Sequence, residues 1–208
     1  MIYLSDDYIT KYSDTLSYLI GRSCYEGYSF DFVQKSIAYS IAINELEKSN
    51  VTLFAFSSME KIYSDIFPIH NNNYEFDIYG MFGWVGSAYI FLFLKLRVTF
   101  EALFYLISIE EMLNLYHLYH EMDNARLLEF AKEKMKYSLL DVIMQRKGLS
   151  NKQLAAKTDL SVSTINALRY GVRDINKLEA SKLLILSRTL NIKMETLFSD
   201  IGLITQKE

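Results

Sequence analysis

The chain of 208 residues has one proline, Pro68, eight glycines and one cysteine, Cys24. Few breakers mean few tight turns, so an all-β fold with many reversals is disfavoured and helices are favoured. A single cysteine cannot form an internal disulfide, which fits a reducing compartment. No nucleophile motif surrounds it in Arg22-Ser23-Cys24-Tyr25, so an inert thiol is expected. The first residues, Met1-Ile2-Tyr3-Leu4-Ser5-Asp6-Asp7, carry acids where a secretion signal needs basic residues and an apolar run. Long apolar runs are also missing. The best is Tyr79 to Leu94, closed by Lys95, Arg97 and Glu101. About 20 apolar residues are needed to span a bilayer, so a buried helix and a cytoplasmic location are expected.

What is present is divided unevenly. Residues 1–130 hold 8 Lys+Arg against 17 Asp+Glu, a net of −9, while residues 131–208 hold 14 against 8, a net of +6. Of the 30 aromatic residues, 27 precede residue 131. A simultaneous shift in charge and aromatic content marks two domains, 1–130 and 131–208. A basic module in an acidic chain suits a polyanion, because phosphate contacts supply most non-specific affinity for nucleic acid.

The basic part reads as helices with short breaks. Leu139, Leu140, Ile143 and Met144 make one apolar face. Gly148 is placed to stop that helix, and Ser150 to cap the next, which begins Asn151-Lys152-Gln153 and carries Leu154, Ala155 and Ala156. Thr158-Asp159-Leu160 reads as a tight turn, with Asp159 as an acceptable residue for left-handed backbone. Ser161 caps a third helix, Val162 to Tyr170, ended by Gly171. Leu178 to Leu190 and Met194 to Phe198 complete five helices. Ala155 is small, as a helix crossing requires. Ile165 and Leu168 anchor the third helix inward and leave its other face free.

This run, from Leu149-Ser150-Asn151-Lys152-Gln153-Leu154-Ala155-Ala156 through Ser161-Val162-Ser163-Thr164-Ile165-Asn166-Ala167-Leu168 and on to Leu197, resembles the helix-turn-helix of the Xre/Cro/lambda-repressor family over about 65 residues. The resemblance implies that the third helix enters the major groove with its first residues against base edges. Val162, Ser163, Thr164, Asn166 and Ala167 would face the DNA. Asn166 suits a bidentate contact to adenine, and Val162 and Ala167 suit a thymine methyl. Asn151, Lys152, Arg169, Tyr170 and Arg173 suit phosphates. Two positions depart from the family's habits: Asp159 stands where glycine is common, and Val162 where a long polar reader is common.

The first 130 residues are less legible. Asp31 to Glu47 reads as one helix with Val33, Ile37, Ser40 and Ile41 on a face. Val51 to Phe56 fits a strand or a buried helical turn, which leaves room for a small β element. Ser57 or Ser58 with Glu60 starts a helix through Ile66 that Pro68 ends, and Asn71-Asn72-Asn73 is a polar loop. Helices are expected over Met81–Leu94, Thr99–Leu106, Ile109–His120 and Ala125–Lys136. The expected fold is therefore mainly α: an N-terminal helical domain followed by a five-helix lambda-repressor-like domain.

Catalytic signals are thin. Gly80, Gly83 and Gly86 do not match a phosphate-binding GxGxxG and suit close helix packing. His117 and His120 with Glu121 and Asp123 have the spacing of a partial metal site but too few ligands. Ser57 and Ser58 lack a recognisable His and Asp context. No catalytic, metal or cofactor residue is assigned. The aromatic group Tyr79, Phe82, Trp84, Tyr89, Phe91 and Phe93 suits a core or a dimer interface. Gly83-Trp84-Val85-Gly86-Ser87-Ala88-Tyr89, with Tyr116-His117-Leu118-Tyr119-His120-Glu121-Met122-Asp123, is similar to an uncharacterised segment of small proteins encoded near bacterial toxin-like genes.

The expected function is a sequence-specific transcriptional regulator, a repressor acting as a homodimer on double-stranded DNA. The N-terminal part would dimerise or bind a protein partner or small-molecule ligand. The alternative is an antitoxin whose acidic part masks a toxin while the helix-turn-helix autoregulates the operon. An enzyme with a DNA-targeting tail would need converging polar residues that this part does not show. A protein-interaction scaffold would not need Asn166 or Arg169.

Overall fold

A computed structural model describes residues 5–48, 52–68 and 79–198. Among these residues all regular structure is helical and no strand occurs, so the mainly α expectation holds without the β element. Asn71 to Asn73 lie outside the described residues. The helices are α1 Asp6–Tyr25, α2 Phe30–Ala38, α3 Ile41–Glu47, α4 Thr52–Phe56, α5 Met59–Ile66, α6 Gly80–Leu96 and α7 Phe100–Leu106. They continue with α8 Ile109–Tyr119, α9 Asn124–Lys134, α10 Leu139–Arg146, α11 Asn151–Lys157, α12 Val162–Arg169, α13 Ala180–Leu190 and α14 Met194–Phe198. A 3₁₀ turn at Ile175–Lys177 precedes α13. None of the described helices is long and apolar enough to cross a membrane.

Two compact units emerge: Met1–Lys95 with Ile107–Leu128, and Leu96–Leu106 with Glu129–Glu208. The second is discontinuous. It takes in α7, a segment that the charge and aromatic shift had grouped with the first 130 residues.

In the first unit α1 packs against α2, α4 and α5. Its Tyr12, Leu16, Leu19 and Ile20 are buried, as are Val33 and Ile37 of α2 and Ile43 and Leu46 of α3. Burying each such aliphatic side chain contributes about 1.5–3 kcal/mol. Close approach of α1 and α6 depends on Gly86. A Cβ there would lie 2.5 Å from the Ser13 carbonyl oxygen and 2.7 Å from the Ser17 nitrogen, with Ser17 Oγ nearer still. This is the helix-packing role expected of the glycines, at Gly86. In the aromatic group Tyr89 and Phe93 are buried, whereas Tyr79 is exposed. Tyr89 donates its hydroxyl hydrogen to the Ile107 carbonyl at 2.8 Å.

Serine caps fix the helix starts. Ser58, rather than Ser57, accepts from the Lys61 N–H and begins α5. Ser108 and Glu111 form a reciprocal capping box on α8. The expected single helix over Asp31–Glu47 is two helices, because Ser40 accepts from the Ile43 N–H at 3.2 Å and restarts the chain as α3. Ile41, expected on the buried face, is therefore exposed. The run from Thr52 to Phe56 is helix α4, with Phe54 buried and Phe56 exposed.

In the second unit α11 packs on α12, α12 on α10, and α7 on α10 and α14. The five-helix order expected after residue 135 is present, with α13 starting at Ala180 instead of Leu178 because the 3₁₀ turn occupies the approach. Arg146 holds α7 by donating from Nε to the Tyr105 carbonyl at 3.0 Å and from Nη2 to the Leu106 carbonyl at 3.4 Å. The buried Glu101 carboxylate accepts from the Lys193 N–H at 2.9 Å and the Thr196 hydroxyl at 2.7 Å. Asp159 is not in left-handed backbone. The only described non-glycine residues with positive φ are Arg97 and Asn191. The turn is made instead by Thr158 in extended conformation, φ −133° and ψ 158°, so no glycine is needed there.

Candidate nucleic-acid interface

The helix pair α11 and α12 is built from capping chemistry and a small apolar seam. Ser150 and Gln153 form a capping box at the start of α11. Ser161 accepts from the Thr164 N–H at 3.1 Å at the start of α12. Leu154, Ile165 and Leu168 are buried between the helices and the rest of the unit. The opposite face of α12 is open: Val162, Ser163 and Asn166 are exposed, while Thr164 and Ala167 are half-buried. Ser163 is tied to its own helix start, 2.8 Å from Ser161 Oγ. Lys152 and Arg173 are exposed on either flank. Tyr170 stands at the end of α12, its ring edge-on to that of Tyr137 at 5.1 Å.

Three of the expected contact residues, Arg169, Asn151 and Asn166, are joined in one chain of internal hydrogen bonds. The Arg169 side chain keeps only 18% of its exposure and Asp141 only 6%. Arg169 Nε donates to Asp141 Oδ1 at 2.5 Å, and Nη1 donates to Asn151 Oδ1 at 3.0 Å. Asn151 Nδ2 in turn donates to Asn166 Oδ1 at 2.9 Å. Gln145 Nε2 donates to the second Asp141 oxygen at 2.6 Å. The Ser138 hydroxyl caps the end of α12 by donating to the Arg169 carbonyl at 2.7 Å. A buried carboxylate is costly unless paired and hydrogen-bonded, and Asp141 has both forms of compensation.

Sequence reasoning did not single out Asp141, Gln145 or Ser138. The available signal was Asp141 itself, a carboxylate on the apolar helix of Leu139, Leu140, Ile143 and Met144. Such a residue requires a cation from elsewhere in the fold.

The remaining candidates do not converge into a site. His120 Nδ1 lies 2.8 Å from the Tyr116 carbonyl oxygen and its ring stacks on Tyr116 at 4.4 Å. No group of three or more His, Cys, Asp or Glu among the described residues is placed to hold a metal ion. Burial pushes the Cys24 thiol up to about 11, which leaves little thiolate near neutral pH.

An α-helical pair with a short turn, whose second helix is anchored by two buried residues and open on its polar face, is a helix-turn-helix. Residues 139–202 match the family of the Cro/C1-type HTH DNA-binding domain. The C-terminal part of the chain is thus a DNA-binding domain of that family. No curated protein and no solved structure matched the chain.

Proposed function

We propose that the protein is a sequence-specific transcriptional repressor that binds DNA as a homodimer, with α12 in the major groove. The observation that carries this is the open face of α12, where Val162, Ser163 and Asn166 are exposed over the buried Ile165 and Leu168. Asn166 pairs with a base edge, Val162 and Ala167 meet a thymine methyl, and Thr164 supports the first turn. Lys152, Arg173 and Tyr170 hold the phosphate backbone. Asn151 sits at the start of α11, where N–H groups point at a phosphate. Arg169 acts from inside, since its guanidinium already serves Asp141 and Asn151.

One such helix covers a short half-site, so two copies on a near-palindrome about 34–36 Å apart give the required length of contact. The first unit supplies dimerisation or a partner- or ligand-binding surface in this reading, and the protein acts in the cytoplasm. Repression is steric: the bound dimer blocks the promoter.

The test is the salt dependence of binding to DNA from upstream of the protein's own gene, followed by fluorescence anisotropy. Binding should weaken steeply with salt. Lys152→Ala and Arg173→Ala should each lower the salt slope by about 1 and weaken all sequences alike. Binding that ignores salt and both substitutions would refute the proposal.

A further inference from the structure

The polar chain behind α12 has a direction. Arginine carries only N–H donors. The atom of Asn151 that faces Arg169 Nη1 at 3.0 Å must therefore be its carbonyl oxygen. That leaves the Asn151 amide nitrogen for Asn166, 2.9 Å away, so the Asn166 atom facing inward must be its oxygen. The Asn166 nitrogen, on an exposed side chain, is then left for a partner outside this network. The origin of this polarity is the buried Asp141 carboxylate, which holds Arg169 at 2.5 Å.

We propose that Asp141, Arg169 and Asn151 are positioning residues that fix Asn166 as a hydrogen-bond donor toward DNA, so that an interior ion pair sets the base preference of α12. The proposal rests on the reading that α12 enters the major groove. Asn166 presents Nδ2 outward, and its oxygen keeps one lone pair beside the bond from Asn151. Adenine satisfies both, accepting at N7 and donating from N6. Guanine and thymine offer acceptors only and satisfy the donor alone. Cytosine presents only a donor, N4–H₂, which can meet the remaining oxygen lone pair but leaves the Nδ2 hydrogens without an acceptor, so it ranks last.

Reversing the direction of the chain tests this. Asn151→Asp keeps an acceptor for Arg169 but has no hydrogen to give Asn166. The Asn166 amide should then turn over, donating inward and presenting its oxygen to the base. An acceptor facing the groove favours adenine and cytosine, and guanine, which can use only the remaining Nδ2 hydrogen, ranks last. The full-length chain and its variants would each select double-stranded DNA from a random pool, with thermal unfolding by circular dichroism confirming that each variant folds.

The wild type should enrich one base pair per half-site for adenine, with guanine ahead of cytosine by fivefold or more. Asn166→Ala should erase that preference. Asn151→Asp should bind all sequences less tightly, from phosphate repulsion, and reverse the order of guanine and cytosine at that same base pair. Asn151→Ala, which adds no charge, should flatten the order. A uniform loss of affinity in both Asn151 variants, with the wild-type order intact, would overturn the positioning role and leave the DNA-binding reading standing. A wild-type chain that enriches no sequence would overturn both.

Discussion

Arg169→Met separates an internal Arg169 from one that only touches phosphate. The substitution keeps most of the apolar stem and removes the guanidinium. Asp141, at 6% side-chain exposure, loses its cation and retains Gln145 as a neutral donor. Removing one partner of a buried pair costs about 3–5 kcal/mol. Arg169 keeps 18% of its side-chain exposure, so some water reaches the pair, which places the loss near 3 kcal/mol, at the lower end of that range. In a unit of roughly 60–100 residues each kcal/mol shifts the midpoint by about 4–8 °C, so the second unit should melt roughly 12–24 °C lower. Asp141→Leu combined with Arg169→Met removes both charges and should recover most of the loss, because well-packed apolar replacements of an ion pair are often neutral. Differential scanning calorimetry of the full chain gives the three midpoints, and the cycle gives the coupling, about 2–3 kcal/mol. If Arg169→Met melts within 3 °C of wild type, or the double variant is no better than the single, the pair does not support the domain.

Four other outcomes follow from the same physics. Gly86→Ala should destabilise the first unit by about 1–3 kcal/mol, since the added methyl meets the backbone of α1 and overpacking outweighs the gain in helix propensity; urea titration measures it, and a stabilised variant would show that α1 and α6 are not so close. Glu101→Ala should cost the second unit about 1.5–3 kcal/mol by removing the acceptor of the Lys193 N–H and of the Thr196 hydroxyl, which keeps only Thr99, seen as faster amide exchange in α14. The Cys24 thiol, raised to about 11 from an ordinary 9.0 by burial, should react with iodoacetamide at pH 8 at least tenfold more slowly than in urea. Its folded form binds the proton more tightly, so its contribution to stability is complete below pH 9.0 and is lost as pH rises through about 11; Cys24→Ala should make the alkaline decline shallower in pH-dependent melts.

The local grammar of the second unit was readable. Ser150, Ser161 and Gly148 announce helix ends because caps and glycine act within a few residues of chain. The open face of α12 follows from the spacing of Ile165 and Leu168. Long-range chemistry was not readable in the same way. Arg169 looks like one more surface cation until Asp141, 28 residues earlier, is brought to it. The position of α7 within the second unit depends on Glu101 meeting residues more than 90 positions later, and nothing local encodes that. Periodicity also misled at Tyr39-Ser40, where the apolar spacing runs on but a serine cap interrupts the helix. Asp159 tolerates left-handed backbone and stands where the family commonly has glycine, yet its φ is not positive, and the chain leaves α11 through an extended Thr158.

The most direct test of the account is a mobility-shift titration of the full-length protein on DNA from upstream of its own gene, against a scrambled fragment, with Asn166→Ala run in parallel. A tight, fragment-specific complex is expected, which Asn166→Ala loses while its unfolding midpoint stays unchanged. Equal binding to both fragments, or specific binding that Asn166→Ala leaves intact, would contradict the claim that α12 reads the sequence.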